Sequence, residues 1–241
     1  MESAPEIGYK WKPIQPLSQD DLSLDLSEFE SVRSAWAEAH NKLKESSPEN
    51  LKAFNERLAR HWSIETGILE RLYDIDRGTT LLLIEHGFVV DYVDRAATNK
   101  EPEELILILR DHKAAADLLQ DCVADNRPLT IGLIHELHSI LTRHQDMVDA
   151  LDQFGKRIQV PLLKGAFKKS PNNPQREDGV VHEYCPPVHV AAEMDQLIHL
   201  YGKHAAVNPL LLATWLHHRF TQIHPYQDGN GSYGQFLCMA G

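Results

Sequence analysis

From Ser27 to Ile223, apolar residues return at intervals of three and four in one segment after another. A stripe with that period is buried on one side only if the backbone is helical. The spacing of Phe29, Val32, Trp36 and Leu43 predicts a helix over Ser27 to Lys44, and "SSPEN" breaks it. A second helix is expected from about Glu49 to Asp74, paired with the first, with Leu51, Phe54, Leu58, Trp62, Leu69 and Leu72 on its inner side. "DRGTTLLLIEHGF" reads as a short helix closed by Gly87, and "EPEELILILRDHKAAADLLQDCVADN" as a longer one closed by Asn126. Pro128 and Thr130 open another, on which Ile131, Ile134, Leu137 and Leu141 share a face. Two more amphipathic stretches, "PPVHVAAEMDQLIHLYGKH" and "NPLLLATWLHHRFTQIHP", complete a mainly α fold.

One stretch breaks the rhythm. Between Gly155 and Pro187, β-branched pieces flank a Pro/Asn/Asp/Gly loop, which predicts one irregular hairpin. An isolated hairpin is weak in water, so it is expected to lie as a flap on the helices. The first twenty or so residues, with Pro5, Pro13 and Pro16, read as an extended arm. The expected organisation is an arm over 1–26, a helical region over 27–126 and a core over 127–241, with the flap at about 155–187 and a distinctive loop at 224–235.

Charge and composition narrow the function classes. A net charge of −11 opposes a nucleic-acid backbone or an anionic membrane surface as the main partner. Cys122, Cys185 and Cys238 are odd in number and far apart, which indicates neither a disulfide framework nor a paired-cysteine zinc site. The start of the chain has no apolar stretch of signal-peptide length, and no run approaches the roughly 20 residues that span a bilayer. A soluble, cytoplasmic protein is expected. A homodimer is compatible with the sequence.

The chemistry concentrates in "IHPYQDGNGSYGQ", Ile223 to Gln235. Pro225 cannot continue the preceding helix, so His224 stands where that helix runs out, a favourable seat for a base. The "DGNG" run suits a loop whose successive N–H groups form a concave anion site, and phosphate is the natural occupant. Asp228 offers a hard oxygen ligand for magnesium shared with phosphates. Base, metal ligand and anion nest are the parts that phosphoryl or nucleotidyl transfer requires. A plain turn competes with this reading, because Asp-Gly and Asn-Gly are common turn dipeptides. A calcium loop does not fit, since Tyr233 stands where its glycine belongs and Met239 where its bidentate Glu belongs. "HELH" at His135 to His138 lacks the spacing of a metalloprotease helix.

"FTQIHPYQDGNG" closely resembles the signature of the Fic family, His-Pro-Phe-x-Asp/Glu-Gly-Asn-Gly-Arg-x-x-Arg, with Tyr226 in place of the usual Phe. "WSIETGILERLYDIDRGTT", "PNNPQREDGVVHEYCPPVHVAAEMDQLI" and "NPLLLATWLHHRFTQ" extend the likeness over roughly Leu58 to Gly231, to Fic proteins with an N-terminal inhibitory helix. The resemblance implies a Fic-type helical bundle with a small β-hairpin flap. It implies ATP and Mg2+ as cofactors, and transfer of AMP to a Ser, Thr or Tyr hydroxyl of a target protein. His224 would be the general base and Asp228 the magnesium ligand. Gly229, Asn230 and Gly231 would cradle phosphates through backbone N–H groups and the Asn amide. The segment Lys164 to Lys169 would clamp the target by strand pairing. "TGILE", Thr66 to Glu70, resembles the inhibitory motif Ser/Thr-x-x-x-Glu-Gly/Asn, although Arg71 replaces the Gly or Asn.

The likeness stops after Gly231, as in a truncated or frameshifted copy. The two arginines that bind the triphosphate in the family are Ser232 and Gln235 here, and neither can supply a cation. The expectation is a Fic-type adenylyltransferase impaired at these two nucleotide-binding positions. The alternative is an inactive Fic-fold module that binds a nucleotide or a partner.

Overall fold

The computed structural model describes residues 6–151, 156–231 and 234. In chain order the elements are β1 (Ile7–Tyr9), α1 (Gln19–Leu22), α2 (Ser27–Ser46), α3 (Pro48–Leu69), α4 (Arg77–His86), α5 (Pro102–Ala124) and α6 (Ile131–Leu141). There follow β2 (Met147–Leu151), β3 (Arg157–Pro161), β4 (Val181–His182), α7 (Pro187–Lys203) and α8 (Pro209–Ile223). The mainly helical expectation holds, and local chemistry sets the helix ends. The Asp76 side chain accepts from the N–H groups of Gly78 and Thr79 to open α4, and Gly87 closes it at φ 98°. Thr130 caps α6 by accepting from Leu133 N–H, and Asn208 caps α8 ahead of Pro209.

The chain forms two compact units. One is Leu17–Lys113. Its core gathers Ile64 of α3, Tyr73, Leu83 of α4, and Leu105, Ile106 and Leu109 of α5. Helix α2 departs from expectation, because none of its residues is buried. Phe29, Val32, Trp36 and Leu43 are 58%, 65%, 57% and 42% exposed, and Phe54 and Leu69 of α3 are exposed as well. The period is helical as expected, but periodicity does not say which stripe finds a neighbour. The shielded side of α2 carries Glu30, Ala37 and His40, about a quarter-turn away from the apolar stripe. Helix α3 also ends at Leu69, short of the expected Asp74, because Arg71 adopts the left-handed conformation at φ 55° and the Leu72 N–H turns back to the Gly67 carbonyl at 2.9 Å.

The second unit runs from Ala114 onward and includes the N-terminal segment through Pro16. The N-terminal arm is docked here. β1 pairs in parallel with β4, and the Ile14 N–H donates to the Glu193 carboxylate at 2.8 Å. The Trp215 indole N–H donates to the Gln15 carbonyl at 3.0 Å. The hairpin is not the expected one. β3 pairs antiparallel with the upstream β2, Met147 opposite Pro161 and Leu151 opposite Arg157, while β4 pairs with β1. The β-branched run at 157–161 found its partner before it in the chain, because "DMVDAL" supplies a strand of equal length close by in the sequence. The Pro/Asn/Gly-rich stretch after Pro161 is irregular and lies along the signature loop, as described next.

Candidate active site

Helix α8 delivers His224. Phe220 and Ile223, fully buried, anchor its last turn, and His224 caps it in the left-handed conformation, φ 53° and ψ 60°, with its N–H donating to the Phe220 carbonyl at 2.9 Å. A non-glycine residue rarely takes this conformation, and Pro225 behind it prevents the helix from relaxing onward. The side chain is half-buried and stacks on Tyr184, ring centroids 3.8 Å apart and 6° from parallel. Burial first, and then the positive charge of Lys168, lower its pKa to about 3, with a smaller contribution from His182 in the same direction. At neutral pH the imidazole is therefore uncharged, the form that can accept a proton.

The loop after His224 is held from several sides. Asn230, 2% exposed, accepts from the Tyr226 N–H at 2.8 Å and donates to the Tyr226 carbonyl at 2.9 Å. Both ends of its amide thus close the loop on itself, unlike the expected phosphate cradle built partly from that amide. Gly229, at φ 75°, donates its N–H to the Asp228 carboxylate at 2.8 Å. The backbone turns helical at Asn230 and Gly231, so their N–H groups belong to a first helical turn, where an anion is favoured. Ser232 and Gln235 lie outside the described residues.

Two histidines of α6 carry much of the support. Gly165 N–H donates to His138 Nδ1 at 2.9 Å, so Nε2 holds the ring proton and donates it to the Asp228 carbonyl at 3.0 Å. The His138 ring also stacks on Tyr226 at 3.7 Å. Burial lowers its pKa to about 4, with His135 adding to the effect against the pull of the Asp228 carbonyl. Gly165 sits at φ 62°, and a Cβ there would fall 2.1 Å from the Ser139 hydroxyl, so this close approach requires glycine. His135 Nδ1 lies 2.9 Å from the Tyr226 hydroxyl. The hydroxyl that separates this chain from the usual Phe therefore has a partner. Tyr226→Phe is expected to cost about 1 kcal/mol, the worth of one such hydrogen bond, in denaturant unfolding at neutral pH.

The irregular segment from Leu163 to Asn172 completes the frame. Gln227 Oε1 accepts from the Leu163 N–H at 3.1 Å, and Asn172 Nδ2 donates to the carbonyls of Tyr226 at 2.8 Å and Gln227 at 3.2 Å. The Lys168 N–H donates to the Pro225 carbonyl at 2.9 Å. Lys164 to Lys169 is thus not a free strand edge awaiting a target segment, since its backbone is turned and Lys168 bonds to the signature loop. The sequence reading missed His135, His138, Lys168, Asn172 and Tyr184. A signal existed for the two histidines, three apart on one helix face, but their spacing does not fit a metalloprotease helix and nothing local shows the loop that lies against them.

Among the described residues no group of three or more His, Cys, Asp or Glu side chains is set to hold a metal ion. The half-buried Asp228 carboxylate accepts one backbone N–H and suits a cation whose other ligands come from phosphates and water, as magnesium's commonly do. Thr66 and Glu70 belong to the other unit. Thr66 is buried, Glu70 is half-buried at the C-cap of α3, and the following Arg71 occupies a left-handed position that glycine or asparagine takes at lower cost.

Comparison with known proteins agrees with this geometry. Residues 128–240 match the family model described as the Fic/DOC family. A Fic domain containing signaling protein from Bacteroides thetaiotaomicron VPI-5482 superposes with a TM-score of 0.64 at 23% identity, covering 85% of this chain and 69% of that one. A Fic family protein from Desulfovibrio desulfuricans G20 superposes at 0.63 with 18% identity, covering 95% of this chain and 59% of that one. This chain therefore spans less than two thirds of the second relative's length. No curated protein sequence matches the chain. No helix among the described residues is long and apolar enough to cross a membrane. Residues 128–240 of this chain thus match the Fic/DOC family model, and the fold is one shared with solved Fic proteins.

Proposed function

We propose that this chain is a Fic-type adenylyltransferase of low activity, transferring AMP from ATP to a Ser, Thr or Tyr hydroxyl of a target protein. The observation that carries the reading is the seat of His224: an uncharged, half-buried imidazole at the end of α8, immediately before a loop that turns into a helical N-terminus. In the proposed reaction the hydroxyl oxygen attacks the α-phosphorus of ATP, the bond to the β-phosphate bridging oxygen breaks, and pyrophosphate leaves. His224 takes the hydroxyl proton. The N–H groups of Asn230 and Gly231 would receive phosphate oxygens. Asp228 would hold Mg2+, which offsets charge on the phosphates when bound. The inhibitory role of Thr66 and Glu70 comes from the resemblance, and a cytoplasmic setting from the odd, scattered cysteines.

A second reading is favoured by two observations. The Asn230 amide is spent inside the loop, and Ser232 and Gln235 replace the two cations of the signature. On that reading the chain is a nucleotide- or partner-binding module without turnover. One experiment separates them: incubation with labelled ATP and magnesium beside thermal unfolding with and without the nucleotide. A ligand that binds only the folded state raises the midpoint. Transfer predicts faint labelling that disappears in His224→Ala, together with a raised midpoint. A raised midpoint with no label supports the binding module, and label that survives His224→Ala removes His224 as the base.

A further inference from the structure

Lys168 is the one lysine of the 163–172 segment whose side chain is withdrawn from solvent, at 3% exposure. Its ammonium donates to Asn172 Oδ1 at 2.7 Å, and among the described residues no carboxylate pairs with it. Placing a positive charge in such a spot is costly unless something nearby benefits from it. What stands nearby is the base. The Lys168 ammonium lies 5.7 Å from the centroid of the Tyr184 ring, and that same ring stacks on His224 at 3.8 Å. The backbone reinforces the arrangement, because Lys168 N–H holds the Pro225 carbonyl, one residue after His224. Asn172, which fixes the ammonium, also donates to the carbonyls of Tyr226 and Gln227. Lysine, tyrosine, histidine and signature loop thus form one connected unit. Lys164 and Lys169 make no comparable connection: Lys164 reaches outward to Asp146 and the Arg143 carbonyl, and Lys169 is exposed.

We propose that Lys168 is a positioning residue for His224: its buried ammonium, anchored by Asn172 and facing Tyr184, fixes the seat of the imidazole. The inference deepens the transferase reading and rests on it for its catalytic meaning, since a resting base must be unprotonated. The groups that face His224 are Lys168 and Tyr184, with His182 adding a smaller repulsion, and Cys185 is the titratable neighbour of Lys168. Burial lowers the Lys168 pKa to about 8, so at neutral pH the pair is charged lysine beside neutral histidine. Tyr184 orients both.

The test follows the His224 Cε1 resonance by NMR across pH in the full chain, in the wild type, Lys168→Met and Lys168→Arg. No turnover is required. The wild-type resonance is expected to show an inflection near pH 8, as Lys168 loses its proton, besides the titration of His224 itself. Lys168→Met should abolish the inflection and shift the histidine titration upward. Lys168→Arg, which keeps the charge, should abolish the inflection but leave the histidine titration low. A wild-type resonance without that inflection overturns the proposal, and so does a Lys168→Met titration identical to wild type. If Lys168→Met does not fold, the wild-type inflection decides. Coupling seen in a chain that never labels a target sinks the transferase reading and leaves the lysine–histidine pairing intact.

Discussion

Replacing Ser232 and Gln235 together by arginine is expected to raise the rate of AMP incorporation by roughly ten-thousandfold or more, if the two gains are independent. The magnitude follows from the worth of a fixed donor aimed at developing transition-state charge, about a hundred- to a thousandfold each. A serine hydroxyl and a neutral amide cannot provide the charged, forked contact that a triphosphate rewards. Initial rates with labelled ATP and magnesium measure the effect, and His224→Ala in the same background should return the rate to the starting level. A doubly substituted chain that folds, binds ATP and gains no rate would place the deficit elsewhere, with the spent Asn230 amide as the next suspect.

His138→Ala is expected to lower stability by about 3–5 kcal/mol, the range for emptying a buried aromatic-sized site. The loss combines a cavity under Tyr226 with two backbone groups, Gly165 N–H and Asp228 C=O, left without their partner. The variant carries a pH signature as well. The folded pKa of His138, about 4, lies below its ordinary 6.5, so the unfolded chain binds more protons between these values. Its contribution is therefore complete above pH 6.5 and drains away as pH falls toward 4, worth roughly 3 kcal/mol in all. His112 and His224, lowered to about 4 and about 3 by burial, slope the same way. Urea unfolding at pH 7 and pH 5 should show wild type losing more stability on acidification than His138→Ala. Equal losses would mean that His138 does not sit neutral between Gly165 and Asp228.

The uncharged residues at 232 and 235 are visible in the sequence, whereas the place of His138 between Gly165 and Asp228 is not. Helix period, the Asp76, Gly87, Thr130 and Asn208 caps and the Pro225 stop are local properties, written in residues a few positions apart, so the helices and the end of α8 were legible. His224 and the "DGNG" run stood out because they lie within eight consecutive residues and belong to a recognisable signature. Orientation was not legible in the same way. Phe29, Val32 and Trp36 form a proper helical stripe, yet they stay exposed, because a stripe states only that one side is apolar and not where its partner lies. Strand pairing failed for a related reason: the run at 157–161 can pair forward or backward with equal local sense.

What the sequence determined by itself was the class of fold, the position of a histidine at a helix end and the presence of uncharged residues at 232 and 235. What only the tertiary structure decided was who holds the loop. His135 and His138 lie some ninety residues before their loop partners, and Tyr184, just after β4, stacks on His224 while Lys168, before β4, faces Tyr184. Such contacts depend on how distant segments close on each other, and no periodicity encodes a meeting between residues that share neither a helix face nor a strand register.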